Sequence, residues 1–76
     1  MVFVYWMIMT VGARLRAARM KLKKRQHEIA AELGCTQPAV SDWESDKALP
    51  RTQEIRAVAK AYGLKPELLL PDETAA

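Results

Sequence analysis

The chain holds one cysteine and one histidine in 76 residues. The lone Cys35 permits no internal disulfide, which fits a reducing cytoplasm and excludes a cysteine-stapled miniprotein. With His27 as its only companion no metal cluster can be assembled, and neither a metal nor any other cofactor is expected. Apolar runs of membrane length are also missing. The run from Met1 to Met9, MVFVYWMIM, would make a helix of about 13.5 Å, whereas a bilayer span needs roughly 20 residues. No basic residue precedes it and no small-residue cleavage site follows, so it does not read as a secretion signal. No strand, repeat or low-complexity tract is expected after residue 10. The length allows one core, since two would each be too small to offset chain entropy.

What is present divides unevenly. Half of the chain is apolar, and residues 1–9 are apolar throughout, so a greasy arm precedes an ordinary small domain, 10–70, with a polar tail at 71–76. The net charge of +3 is uneven too. Arg14, Arg16, Arg19, Lys21, Lys23, Lys24 and Arg25 fall in residues 11–25 without an acid, while the rest of the chain is acidic on balance. Such a block reads either as a surface for a polyanion or as a solvated helix face.

Periodicity predicts five short helices. Thr10 caps the first, about Val11 to Leu22, with Leu15, Ala18 and Leu22 inward. The second, Gln26 to Leu33, turns Ile29, Ala30 and Leu33 inward and stops at Gly34. Thr36 caps the third, which tolerates Pro38 in its first turn and buries Val40 and Trp43 before ending near Ser45. Leu49-Pro50 breaks the chain. A fourth helix, about Thr52 to Tyr62, offers Ile55, Val58, Ala59 and Tyr62, and a fifth turn between Pro66 and Pro71 carries Leu68 and Leu69.

Two helices joined at a glycine form the skeleton of a helix-turn-helix. The stretch QHEIAAELGCTQPAVSDWE, Gln26 to Glu44, resembles the Cro/cI (Xre-type) helix-turn-helix of the lambda-repressor-like fold, through Gln26, Ile29, Ala30, Gly34, Thr36, Val40, Ser41, Trp43 and Glu44. The resemblance runs from about Val11 to Leu70. It departs at Lys23, where the family commonly has glycine; at Lys24, often an aliphatic; at Arg25, often a Ser, Thr or Asn cap; and at Ser45-Asp46, where Asn-Gly is usual. His27 replaces a common acid and is read as facing solvent.

The resemblance implies an all-α, five-helix domain whose third helix enters the major groove of double-stranded DNA. Gln37, Pro38, Ser41 and Asp42 would then face base edges. A glutamine can pair with adenine N6 and N7, a contact worth about 1–3 kcal/mol of discrimination, while Pro38 offers apolar contact or stiffens the turn. Asp42 accepts from a cytosine amino group or stays at the groove edge as an element against wrong sequences, and both readings stand. Arg25, Gln26, Thr36, Lys47 and Arg51 are candidates for phosphates. Arg19 and Glu44 resemble a family ion pair.

One such unit reads too few base pairs, so a homodimer on a pseudo-palindrome is expected, acting as a small repressor by occluding a promoter. A protein-interaction module on the same fold is the alternative, as are an antitoxin and a restriction-modification controller. Neither catalysis nor a small-molecule ligand is expected, and the location is cytoplasmic. Val2, Val4, Trp6 and Ile8, on a segment that would extend about 30 Å as a strand, are candidate dimer contacts, with Leu68, Leu69 and Leu70. The arm could instead be an upstream extension with Met7 or Met9 as the start.

Overall fold

The structure, a computed structural model, describes residues 9–69. The candidate strand residues Val2, Val4, Trp6 and Ile8, together with Leu70, lie outside that range. Among the described residues there are four α-helices and no strand: α1 Val11–Lys21, α2 Gln26–Leu33, α3 Gln37–Glu44 and α4 Ile55–Ala61. Two 3-10 turns complete the set, Thr52–Glu54 leading into α4 and Pro66–Leu68 after it. Over the described residues the fold is thus an all-helical helix-turn-helix with four helices rather than five. Pro66 and Pro71 bracket only four residues, too few for an i→i+4 ladder, and the tighter i→i+3 turn takes its place.

Helix α3 is packed against both α1 and α2, and α4 closes on α2. Leu15, Ile29, Val40, Val58, Ala59 and Tyr62 form the buried centre with Trp43 at its edge. Leu22 departs from expectation. It caps the C-terminal end of α1, is 43 % exposed, and lies over Gly63 instead of entering the core. Leu69, a candidate dimer contact, is only 4 % exposed because it seals this chain's own core, which leaves little of it for a second copy. Leu68 is half-buried.

The tightest approach is made by Gly12. A β-carbon there would lie 2.6 Å from the carbonyl oxygen of Trp43 and 2.7 Å from that of Glu44. Those backbone oxygens cannot retreat, so glycine is what lets α1 cross the end of α3. Asp46 fastens the crossing. Its Oδ1 accepts from the Gly12 N–H at 2.9 Å and its Oδ2 from the Thr10 hydroxyl at 2.6 Å, while Thr10 Oγ1 caps α1 by accepting from the Ala13 N–H. A carboxylate at the first turn of a helix also satisfies amides that have no partner along the helix. Asp46 does this from a left-handed backbone, φ +62°, a conformation aspartate tolerates better than most residues.

Candidate nucleic-acid interface

Helix α2 ends at Gly34, whose φ of +68° costs glycine no β-carbon clash, and the Cys35 N–H turns back to the Ala30 carbonyl at 3.0 Å. The chain then re-enters a helix two residues later. Thr36 caps α3 by accepting from the Ala39 N–H at 3.3 Å, and Pro38 sits in the first turn, where no N–H is needed. This short reversal leaves the N-terminal end of α3 in solvent, with Gln37 and Pro38 exposed and Ser41 and Asp42 half-buried beside them.

The other end of α3 is anchored through Glu44, whose side chain is 3 % exposed. Arg19 grips it with two parallel bonds, Nε to Oε2 at 2.8 Å and Nη2 to Oε1 at 2.9 Å, a fork that matches the carboxylate plane. The Tyr62 hydroxyl donates to Oε2 at 2.7 Å and Gln26 Nε2 to Oε1 at 3.2 Å. Burial alone would raise the Glu44 carboxyl, but the bonds from Arg19, Tyr62 and Gln26 outweigh it and hold the group below the ordinary carboxylate value. Burial first, and then the bond to Glu44, raise the Tyr62 phenol far above its usual range.

A chain of orientation runs outward from this buried charge. Glu44 is an anion and takes only donors, so Gln26 must turn its Nε2 inward and keep Oε1 for another partner. That partner is Gln37, whose Nε2 donates at 2.8 Å. Gln37 is left with its Oε1 and one N–H uncommitted, the acceptor and donor that the major-groove edge of adenine presents in complement. Of the residues expected at base edges, Gln37 is therefore the one whose amide is held in a defined orientation. The Asp42 carbonyl accepts from the Lys47 and Ala48 N–H groups and so fastens the loop after α3.

The candidate phosphate residues lie at the start of α2 and in the turns before and after α3. Arg25 is the cap residue of α2 and exposed; its side chain has no acceptor to offer, and Glu28 instead reaches back to the Arg25 N–H at 2.8 Å. Gln26 opens α2, while Thr36, Lys47 and Arg51 are exposed in the turns on either side of α3. The basic block is not one surface. Arg14 turns to the Leu68 carbonyl, Arg19 is committed to Glu44, and Lys24 pairs with Glu32. Lys23 takes the left-handed conformation usually given to glycine, φ +58°, and the turn after α1 is held by Arg19 Nη1 bonding the Lys24 carbonyl at 3.0 Å.

Sequence reasoning placed Arg19 with Glu44 and missed Tyr62, Gly12 and Asp46. For Tyr62 a signal existed, because a hydroxyl on a core-facing position has to find a buried acceptor. The other two meet across more than thirty residues of chain and leave no local pattern.

A family model described as helix-turn-helix matches residues 15–69. Repressor protein C2 of Salmonella phage P22 is 37% identical over 60 residues, 79% of this chain and 28% of that protein. The immunity repressor protein of Bacillus phage phi105 is 32% identical over 66 residues, 87% of this chain and 46% of the relative. The chain thus spans less than half the length of either curated relative. Among solved structures, the P22 c2 repressor in complex with synthetic operator 9T in the presence of Tl+ superposes with a TM-score of 0.77 at 35% identity, covering 82% of this chain and 94% of that one.

Proposed function

The chain belongs to the Cro/cI-type helix-turn-helix family, and from that membership we propose that it is a transcriptional repressor that binds a specific site on double-stranded DNA. The observation that carries the reading is the Glu44–Gln26–Gln37 chain, which presents an oriented amide at the exposed start of α3. Gln37 reads an adenine, Pro38 and Ser41 contact neighbouring base edges, and Asp42 either accepts from a cytosine or rejects wrong sequences. Arg25, Gln26, Thr36, Lys47 and Arg51 take phosphates and set the register. The similarity to a repressor whose structure was solved on an operator supports this placement.

The protein acts as a homodimer on two half-sites about one helical turn apart and represses by covering a promoter, without catalysis of its own. It works in the cytoplasm of a bacterial host; no helix among the described residues is long and apolar enough to cross a membrane. Selecting bound duplexes from a random DNA pool tests the proposal. A recovered pseudo-palindrome, bound less tightly as salt rises, is the expected result. No enrichment, or salt-insensitive binding to a protein instead of DNA, would overturn it in favour of an interaction module.

A further inference from the structure

Tyr62 caps the C-terminal end of α4, and at 1 % exposure it lies within the core. Phenylalanine would fill that space as well, so packing alone does not account for the hydroxyl. It is aimed at Glu44, the one buried charged residue among those described. The four bonds to this carboxylate divide evenly between its oxygens. Oε2 takes Arg19 Nε at 2.8 Å and the Tyr62 hydroxyl at 2.7 Å, whereas Oε1 takes Arg19 Nη2 at 2.9 Å and Gln26 Nε2 at 3.2 Å. Two donors fill the two lone pairs of each oxygen. The Arg19 fork touches both oxygens alike and does not decide which of them Gln26 meets. Tyr62 decides it, because with Oε2 filled only Oε1 is left for the Gln26 amide.

We infer that Tyr62 is a positioning residue for base recognition: its hydroxyl, by occupying Glu44 Oε2, fixes the Gln26 amide and through it the Gln37 amide at the exposed start of α3. The inference rests on the DNA-binding reading above and adds to it a core residue that offers DNA no surface of its own. Without the hydroxyl, Oε2 keeps one donor and has a lone pair open in the interior. A buried acceptor left short draws on the nearest donor that can move. Gln26 Nε2 makes the longest of the four bonds and is that donor. Shared between two oxygens, Gln26 no longer holds its own Oε1 in one place, and Gln37 loses the acceptor that orients it. Burial raises the Tyr62 phenol far above its usual range, so the hydroxyl keeps its proton and stays a donor at neutral pH.

The test compares the full chain with Tyr62→Phe, which keeps the ring, on a selected duplex, one changed at the contacted adenine and a scrambled one. Affinities are read by fluorescence anisotropy below the melting transition of both proteins. The preference for the selected over the changed duplex is expected to fall about fivefold, what one ordinary hydrogen bond contributes, with affinity for the scrambled duplex unchanged. In a Gln26→Ala background the same substitution should change nothing further, because the relay is already cut. In the DNA-free protein, Tyr62→Phe should move the Gln26 side-chain amide resonance toward that of a free amide. An unchanged preference, or an unmoved amide, would overturn the inference and leave the DNA-binding reading intact. Equal weakening on all three duplexes would make Tyr62 a core residue only, and a further loss in the Gln26→Ala background would route its effect elsewhere; each overturns the inference. No duplex preference in the unsubstituted protein would overturn both readings. Should Tyr62→Phe fold poorly, the hydroxyl proton of the unsubstituted protein is read instead: slow exchange supports the bond to Glu44, and fast exchange overturns it.

Discussion

The two ends of α3 are built from opposite materials. At its start Gln37 and Pro38 are exposed, and only the Thr36 cap and the Gln26 amide restrain them. At its finish Trp43 and Glu44 are buried, the Glu44 carboxylate accepts four bonds from three residues, and Gly12 and Asp46 lock α1 against the last turn. The eight residues of α3 thus carry both an exposed surface, the proposed DNA contact, and a buried junction. The difference teaches where the precision of the exposed end comes from: Gln37 is aimed through Gln26 by a charge fixed at the other end.

The comparison breaks most visibly at Glu44. Glu44→Ala strands the Arg19 guanidinium beside Tyr62 and Gln26 and is expected to cost about 3–5 kcal/mol, a large part of the stability of a domain this size, measured by urea unfolding. Gly12→Ala attacks the same end by steric means. The added methyl meets two backbone oxygens, and a loss of about 2 kcal/mol is expected, with the melting temperature as the readout. Gly12→Ala leaves the exposed start of α3 untouched, whereas Glu44→Ala also releases the Gln26 amide that orients Gln37.

Titration sharpens the same point. The Glu44 carboxyl is held below its ordinary value of 4.5, so its contribution is in place above that pH and is lost as pH falls through the folded-state value. The Tyr62 phenol is raised above its ordinary 10.0, so its contribution is in place below pH 10 and is lost as pH climbs past it. Stability measured against pH should therefore fall off on both sides. Tyr62→Phe should remove the alkaline fall and leave an acid one; an alkaline fall that survives the substitution would place its cause elsewhere.

The smallest expected effect lies in the turn between α1 and α2. Lys23 holds φ +58° there, where a side chain is penalised by about 1 kcal/mol. Lys23→Gly relieves that and gives back part of it in unfolded-chain entropy, for a net gain of about 0.5 kcal/mol in unfolding free energy. The turn at Gly34 needs no such relief, and Gly34→Ala should cost about what Lys23→Gly releases.

The turn, the cap and the core seam of the helix-turn-helix were legible because each is a local pattern: a glycine after a helical period, a threonine before the next, aliphatics three and four apart. Charge was less legible. Seven cations in residues 11–25 read either as a surface for a polyanion or as a solvated face, and because a helix advances 100° per residue they divide, Arg14 turning to the Leu68 carbonyl while Arg16 is exposed. The Asp46 latch and the Tyr62 hydroxyl escaped because their partners lie far away in sequence. The fifth helix failed on length, since proline spacing leaves room for a 3-10 turn only.

The most direct test of a reading end aimed from an anchored end is Gln37→Ala, measured for thermal stability and for affinity to a selected duplex and to one changed at the contacted adenine. The account predicts an unchanged melting temperature, with the preference for the selected duplex reduced by roughly 1–3 kcal/mol. A preference that survives the substitution, or one lost only together with the fold, would contradict it.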